Sequence, residues 1–421
     1  MILKYRQFCI WPIVIYFCYS LFNTIESVFA GYSALHAVVV VIRAVLFISM
    51  LLGFLSIIKA LDTKICLYVL FILLLLIVNF LIYPVLPDRF AEYMRVFILI
   101  CFPLSIMVYF ADEGELIKTL DVAGLLIGYI FLIIFLLYEF GVANIEGYNT
   151  SIGYSVLLPE MVLLSGIKDK KGALKVATII SSVSFLLVVL LFGSRGPIIT
   201  IIAYFIYDRI KSFKYENRKN RKTLGIIVIL LILMILLVFF NRIMNIILTI
   251  ANYFGMHSRT LRLFANDFSH LSGREDHYNL VISAIKEHPL IIRGIAGDTV
   301  VTGGIYSHNL ILELLCEFGV VIGLIAVLII IFRVFKSLFC IDYLENKLLV
   351  ITLFGSIIPL MFSSTLWMNC IFWLWVGCYI KTDFSRKNTF DYSNASEDSG
   401  IPVEQIDQID HEEVIEQGDQ L

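Results

Sequence analysis

Apolar stretches long enough to cross a bilayer recur along most of this chain, and they constrain its fold more than any other feature. A spanning helix needs about 20 mostly apolar residues. In lipid its backbone polar groups must be satisfied within the segment, so each such stretch reads as a helix. The candidates run over residues 8–22, 34–58, 66–83, 90–110, 117–140, 151–166, 173–192, 197–207, 223–241, 308–332, 348–364 and 367–380. The expected fold class is an all-α polytopic membrane protein with about 12 transmembrane helices. With 60% hydrophobic residues over 421 positions, the chain reads as one membrane unit, not several soluble domains. Its first apolar segment lacks a small-residue cleavage site and is followed by further spans, so no cleavable signal peptide is expected.

Lysine and arginine in short connections set the orientation. With Lys4 and Arg6 inside, the even-numbered connections also fall inside. These carry Lys59 and Lys64, then Lys168, Lys170, Lys171 and Lys175, then the run from Arg209 to Lys222. The short outer connections hold little positive charge beyond Arg89 and Arg195. Removing the short span at 197–207 would put a strongly basic loop on the wrong side, which supports twelve spans. The division that follows is helices 1–9 in residues 1–241, a long outer loop in 242–307, helices 10–12 in 308–381 and a tail in 382–421. The tail is acidic (Glu404, Asp407, Asp410, Glu412, Glu413, Glu416, Asp419) and has little to bury, so disorder inside the cell is expected. Basic loops of this kind anchor a membrane protein and imply no nucleic-acid partner. The eight cysteines include no CxxC pair and none lies in the long loop, so they read as core or lipid-facing residues.

The long loop concentrates Arg242, Arg259, Arg262, Arg274 and Arg293 with His257, His270, His277 and His288, and exits through Ser307-His308-Asn309. Loops placed by a rigid scaffold often carry function. Within it a helix is predicted from Arg274, with Ser272 as N-cap and Glu275 completing a capping box. Tyr278, Val281, Ile282 and Ile285 recur at helical spacing, and His288-Pro289 ends the run. Arg274 sits in the first turn, where the helix dipole disfavours a cation, and this conflict suggests an anionic partner. The glycine-rich stretch with Gly294, Gly297, Gly303 and Gly304 reads as a flexible connector. His308 opens the next helix and reads either as a general base or as an interfacial helix cap. Glu313 and Glu317 follow on one helical face, Glu317 about 13 Å along the axis from His308.

Gly193-Ser194-Arg195-Gly196-Pro197 is a second candidate. Its glycines and proline break helix, and its arginine could fork two hydrogen bonds to a phosphate or pair with lipid headgroups. Ionisable residues within spans are costly and usually face a cavity or one another. Arg43 and Arg95 fall in the outer half of the membrane, with Glu92 near Arg95 and Glu160 as deep as Arg43. A polyanion such as a lipid pyrophosphate at that leaflet explains the grouping; an Arg43–Glu160 pair is the structural alternative. The chain has no phosphate loop, dinucleotide fingerprint, HExxH or outer DxD motif, and the loop acids are scattered, so neither metal nor cofactor is expected.

Three features then line up in order: Gly-Ser-Arg-Gly after a mid-chain span, a long outer loop with Gly-Arg and a Pro289-to-Gly294 turn, and His-Asn leading into Leu-x-x-x-Glu-x-Gly. Over about residues 150–335 this resembles the O-antigen ligase/Wzy polymerase superfamily of bacterial envelopes. The resemblance implies a GT-C-like, metal-independent glycosyltransferase of the inner membrane, without cofactor. Its substrate would be glycan on undecaprenyl pyrophosphate at the periplasmic face, and a chain-length regulator and a flippase would be its partners. By the same resemblance Arg195 and Arg274 bind the donor pyrophosphate, and His308 activates the acceptor hydroxyl. Arg43, Arg95, Arg293, Asn309 and Glu317 are further expected contacts. A Wzy-type polymerase is the leading expectation, with an O-antigen ligase and a lipid-linked sugar flippase as alternatives. One departure is the Gly319-to-Gly323 spacing, wider by one residue than the pattern.

Overall fold

A computed structural model describes residues 2–28, 33–83, 88–139, 150–192, 195–214, 242–243, 245–250, 252–253, 262 and 274–382. All regular structure among these residues is helical. In chain order the elements are α1 (Ile2–Val28), α2 (Ser33–Ile57), α3 (Thr63–Ile82), α4 (Phe90–Val96) and α5 (Phe102–Phe110). Next come α6 (Glu113–Glu139), α7 (Thr150–Ser155), α8 (Leu157–Gly166), α9 (Gly172–Phe192) and α10 (Arg195–Lys214). The last are α11 (Arg274–Glu287), α12 (Gly297–Val301), α13 (Leu310–Phe335), α14 (Lys347–Leu360) and α15 (Cys370–Thr382). Among the described residues seven helical stretches are long and apolar enough to cross a membrane, and α14 and α15 are shorter apolar helices.

The chain is therefore a multi-pass membrane protein, but the layout differs from twelve regular spans. Segment 223–241 lies outside the described residues. Segment 151–166 is not one span but two short helices, α7 and α8. Most of α8 is buried, including Glu160, so it is wrapped by neighbouring helices instead of facing lipid. Segment 197–207 is part of a longer helix, α10. By contrast, α3 fully buries only Ile65, Ile72 and Asn79, one stripe at seven-residue spacing flanked by half-buried Tyr68, Val69, Leu75 and Leu76, and exposes most of its other large apolar side chains. That pattern suits a peripheral helix whose solvent is lipid. Between α4 and α5 the chain makes a π-helical turn, Phe97–Cys101, in which the Phe102 amide bonds Phe97 O. The widened turn precedes Pro103, which has no N–H to give.

The largest departure is in α13. It begins at Asn309, whose Oδ1 accepts the amides of Ile311 (3.0 Å) and Leu312 (3.2 Å) as an N-cap. It breaks at Gly319, where φ is 71° and ψ 166°. That conformation is essentially restricted to glycine. A Cβ on Gly323 would lie 2.5 Å from Leu314 O, so the arm after the break folds back along the arm before it. The expected single span over 308–332 is thus a bent pair of arms. The break opens the helix ladder, and the freed groups are taken by the segment after α11. Arg293 N and Gly294 N both donate to Glu317 O at 2.9 Å, and Val320 N donates to Pro289 O at 2.8 Å. The two glycines have separate roles, one the backbone break and one the close approach of Leu314, which gives a physical reason for their spacing.

Candidate functional site

α11 carries Arg274, His277 and Tyr278 on neighbouring positions of its first turn and a half, the i, i+3 and i+4 positions that share a helix face. That face meets the loop entering α13. The Tyr278 hydroxyl donates to His308 O at 3.4 Å, and the His277 and His308 rings lie 6.3 Å apart. The Tyr306 ring packs at a tilt, its centre 4.1 Å from that of the His308 ring. Nδ1 of His277 and Nδ1 of His308 are both buried without a hydrogen-bond partner among the described residues. His308 is pushed down from 6.5 to about 4, first by burial, then by the charges of Arg274 and His277. Its imidazole is therefore neutral at pH 7 in the unliganded site, and a neutral imidazole can take a proton.

His308 has φ 55° and Ala296 has φ 64°, and neither is glycine. A left-handed residue of this kind costs roughly 1–2 kcal/mol and persists where its surroundings over-determine it. Two buried carboxylates do so here. Asp298 Oδ2 accepts the amide of Ser307, the residue before His308, at 2.7 Å. Glu317 Oε1 accepts the amide of Ala296 itself at 2.6 Å, and Trp367 Nε1 donates to Glu317 Oε2 at 3.0 Å. A third acid, Glu313, accepts Thr365 Oγ1 at 2.5 Å and Leu366 N at 3.0 Å. Burial pushes the Asp298 carboxyl up, and its bonds to Ser307 and Thr299 pull it part of the way back. Together the acids tie α12, α13 and the turn before α15 into a platform beneath His308.

The glycine-rich stretch after α11 is consequently not a flexible connector. Gly294, Ile295, Ala296, Gly297, Asp298 and Thr299 are all buried. From α3, Asn79 Oδ1 accepts Ile295 N at 2.8 Å, and the Tyr83 hydroxyl donates to Ile292 O. From the start of α4, Arg89 Nε donates to Gly304 O at 3.1 Å. Buried backbone needs such partners, and side chains from two helices supply them.

The structure brings Arg274 and His308 together and adds His277, Tyr278 and Tyr306. Arg195 opens α10, and its side chain lies outside the described residues. Its neighbour Gly196 lies against the hydroxyl of Tyr154, which is close enough to Tyr306 to interact with it, so this helix start borders the same cluster. Arg293 goes elsewhere. Its Nη2 donates to Ala284 O at 2.8 Å, ten residues along α11 from Arg274, or about 15 Å at the helical rise. Glu317 and Asn309 Oδ1 are engaged as brace and helix cap. Arg95 is exposed on α4, and Arg43 is exposed on α2 with its guanidinium 5.4 Å from the Tyr19 ring centre. The Arg43–Glu160 pair does not form: Glu160 Oε1 accepts Ser182 Oγ at 2.5 Å, and its other oxygen has no partner among the described residues. Ser272, Arg259, His257 and His270 lie outside the described residues. No group of three metal-ligating side chains assembles among the described residues.

Residues 180–328 match the family model described as O-antigen ligase. The matched segment contains α10, the loop with α11 and α12, His308 and most of α13. No curated protein and no solved structure matches this chain.

Proposed function

Because residues 180–328 match the family model described as O-antigen ligase, we propose that this multi-pass membrane protein belongs to the O-antigen ligase/Wzy superfamily and is a polymerase. It would join undecaprenyl-pyrophosphate-linked repeat units into O-antigen or a related surface polysaccharide. The proposed site faces the periplasm from the inner membrane, with both termini cytoplasmic, residues 242–307 outside and the acidic tail 382–421 inside. The observation that carries the reading is the grouping of Arg274, His277 and His308 with no acid paired to them among the described residues, beside an apolar groove. That groove, about 270 Å³, begins at Leu310, Ile311 and Leu314 and continues along Val327, Val334 and Phe339. A cationic mouth above an apolar slot suits a ligand with a polyanionic head and a hydrocarbon tail.

In this reading Arg274 and Arg195 hold the donor diphosphate, and His308 faces the acceptor sugar. The acceptor hydroxyl oxygen bonds to the anomeric carbon, its proton passes to the neutral His308 ring, and the anomeric carbon–oxygen bond to the diphosphate breaks. The electron pair leaves with the diphosphate, and the arginines offset the charge that grows there. Holding donor and acceptor together supplies much of the remaining acceleration. No metal or cofactor enters the proposal.

The family description favours one second reading, a ligase that moves finished glycan onto lipid A-core. Neither the match nor the geometry supports the flippase alternative. The test is the lipopolysaccharide of a strain lacking this protein. Core carrying a single repeat supports the polymerase; bare core, with long glycan retained on the carrier lipid, supports the ligase. Repeats accumulating on the inner leaflet alone would overturn both.

A further inference from the structure

His277 belongs to the cationic grouping above but has been given no role of its own, and its position suits it to bind a ligand. It lies one helical turn from Arg274 on α11, its ring is 6.3 Å from that of His308, and its Nδ1 is buried with no partner among the described residues. The groups around the two imidazoles are Arg274 and Tyr278 from α11 and Tyr306 from the opposing loop. The tyrosines are neutral at physiological pH, and none of the acids of the platform bonds to either ring. Two imidazoles and a guanidinium thus share a recess in which no acid is paired to them among the described residues, although Asp298, which bonds the amide of Ser307 beside His308, keeps one oxygen without a partner. A polar ring nitrogen kept from water without a partner is costly unless a ligand completes it. An oxyanion between α11 and His308 would receive a forked guanidinium from Arg274 and a point donor from His277 at the adjacent position.

We propose that His277 is a second ligand of the anion at this site, binding a diphosphate oxygen alongside Arg274 while His308 is left free to receive the acceptor proton. The proposal rests on the reading of the site as a lipid-diphosphate site. The two histidines then have different roles, His277 serving the leaving group and His308 the nucleophile. Because His277 contacts the diphosphate in both the bound donor and the departing product, its loss weakens donor binding more than the chemical step.

The test uses the full chain in a zwitterionic detergent, with inorganic pyrophosphate as competitor of glycan transfer. His277→Gln keeps a neutral donor and His277→Phe fills the ring volume without one. Both are expected to raise the pyrophosphate inhibition constant and the KM for the lipid-linked donor about 10-fold or more, the range of one lost charge-assisted bond. The turnover number should change less than about threefold, and the thermal midpoint should stay close to that of the parent chain. If Arg274→Gln weakens pyrophosphate binding and neither His277 variant does, the inference is wrong and the function above stands. If Arg274→Gln has no effect either, the diphosphate reading of the site fails with it. Anionic phospholipid in place of pyrophosphate separates the sources: competition by phospholipid alone would make this a headgroup site and overturn the proposal.

Discussion

The two ends of α10 border basic residues in opposite circumstances. Near its C-terminal end Asp208 is buried and draws Arg209 to 3.5 Å and Lys168 to 4.0 Å, while the Tyr343 hydroxyl donates to it at 2.5 Å. Lys170, half-buried, pairs with Asp121 at 2.6 Å on the same side of the molecule. Near the N-terminal end, about 20 Å away at the helical rise, Arg274 and the two histidines have no acid paired to them among the described residues. Acids are close by, but Glu313 and Glu317 bond amides, a hydroxyl and an indole, and Asp298 bonds the Ser307 amide through Oδ2 while its Oδ1 has no partner among the described residues. Charge that is paired inside the protein holds the fold. Charge whose neighbouring acids are turned away to backbone is available to a ligand.

The largest effect that would break this comparison is at the unpaired end. Arg274→Ala and His308→Ala are each expected to lower glycan transfer by at least about 100-fold, the lower range for a lost acid–base or transition-state charge contact. Membrane insertion and thermal stability should change little. Transfer assayed with purified chain and lipid-linked repeats decides it, and near-parent rates would remove the site. The next effect belongs to the platform. Glu317→Ala strands the Ala296 amide and the Trp367 indole, at about 1–3 kcal/mol for each buried donor, and releases the left-handed turn at Ala296. Stability and transfer should fall together, with Glu317→Gln recovering part of both. Gly319→Ala should cost a comparable amount, since a side chain there is strained at φ 71° and meets Leu290 O at 3.3 Å.

What the chain reveals before folding follows the range of the forces involved. Membrane helices are written in local hydropathy, so α1, α2, α3, α6 and α9 fall close to the expected segments. The helix at Arg274 and its stop at Pro289 are equally local. The break at Gly319 was hidden because an apolar run of this length reads as one span, and only the docking of Pro289 and Arg293 shows that the ladder is open. The burial of residues 294–299 was missed for a similar reason: glycine-rich sequence reads as flexible unless distant partners such as Asn79 and Tyr83 are known. A single Asn in the apolar run of α3 was a usable signal, since a buried amide needs partners. His277 could have been separated from the other loop histidines by its three-residue spacing from Arg274, but the helix face alone did not say what lay opposite.

Protonation offers a smaller effect. The folded value of His308 lies near 4, below its ordinary 6.5. The unfolded chain therefore binds more protons between those values, so the stability contributed by this residue is full above pH 6.5 and is lost as pH falls through about 4. The pH dependence of the thermal midpoint should flatten in that interval in His308→Gln. In the transfer assay the acid limb of kcat/KM should lie well below pH 6.5. Arg274→Gln, which removes one of the charges pushing His308 down, should move that limb upward; a limb unmoved in this variant would mean that another group controls it.

The smallest effect is expected at the paired end of α10, where it sharpens the contrast. Lys168 is partly exposed, and its distance to Asp208 is at the limit of an ion pair. A pair of this kind contributes about 0–1 kcal/mol. Lys168→Ala should therefore shift stability by no more than about 1 kcal/mol, with transfer and donor KM unchanged. Asp208→Asn is the stronger perturbation at the same place, because it removes the charge that Arg209 faces while leaving an acceptor for the Tyr343 hydroxyl. Thermal unfolding should register it, and transfer per folded molecule should not. If Asp208→Asn lowered turnover as much as Glu317→Gln does, the paired cluster would be coupled to the chemistry about 20 Å away, and the separation of structural from ligand-binding charge along α10 would no longer hold.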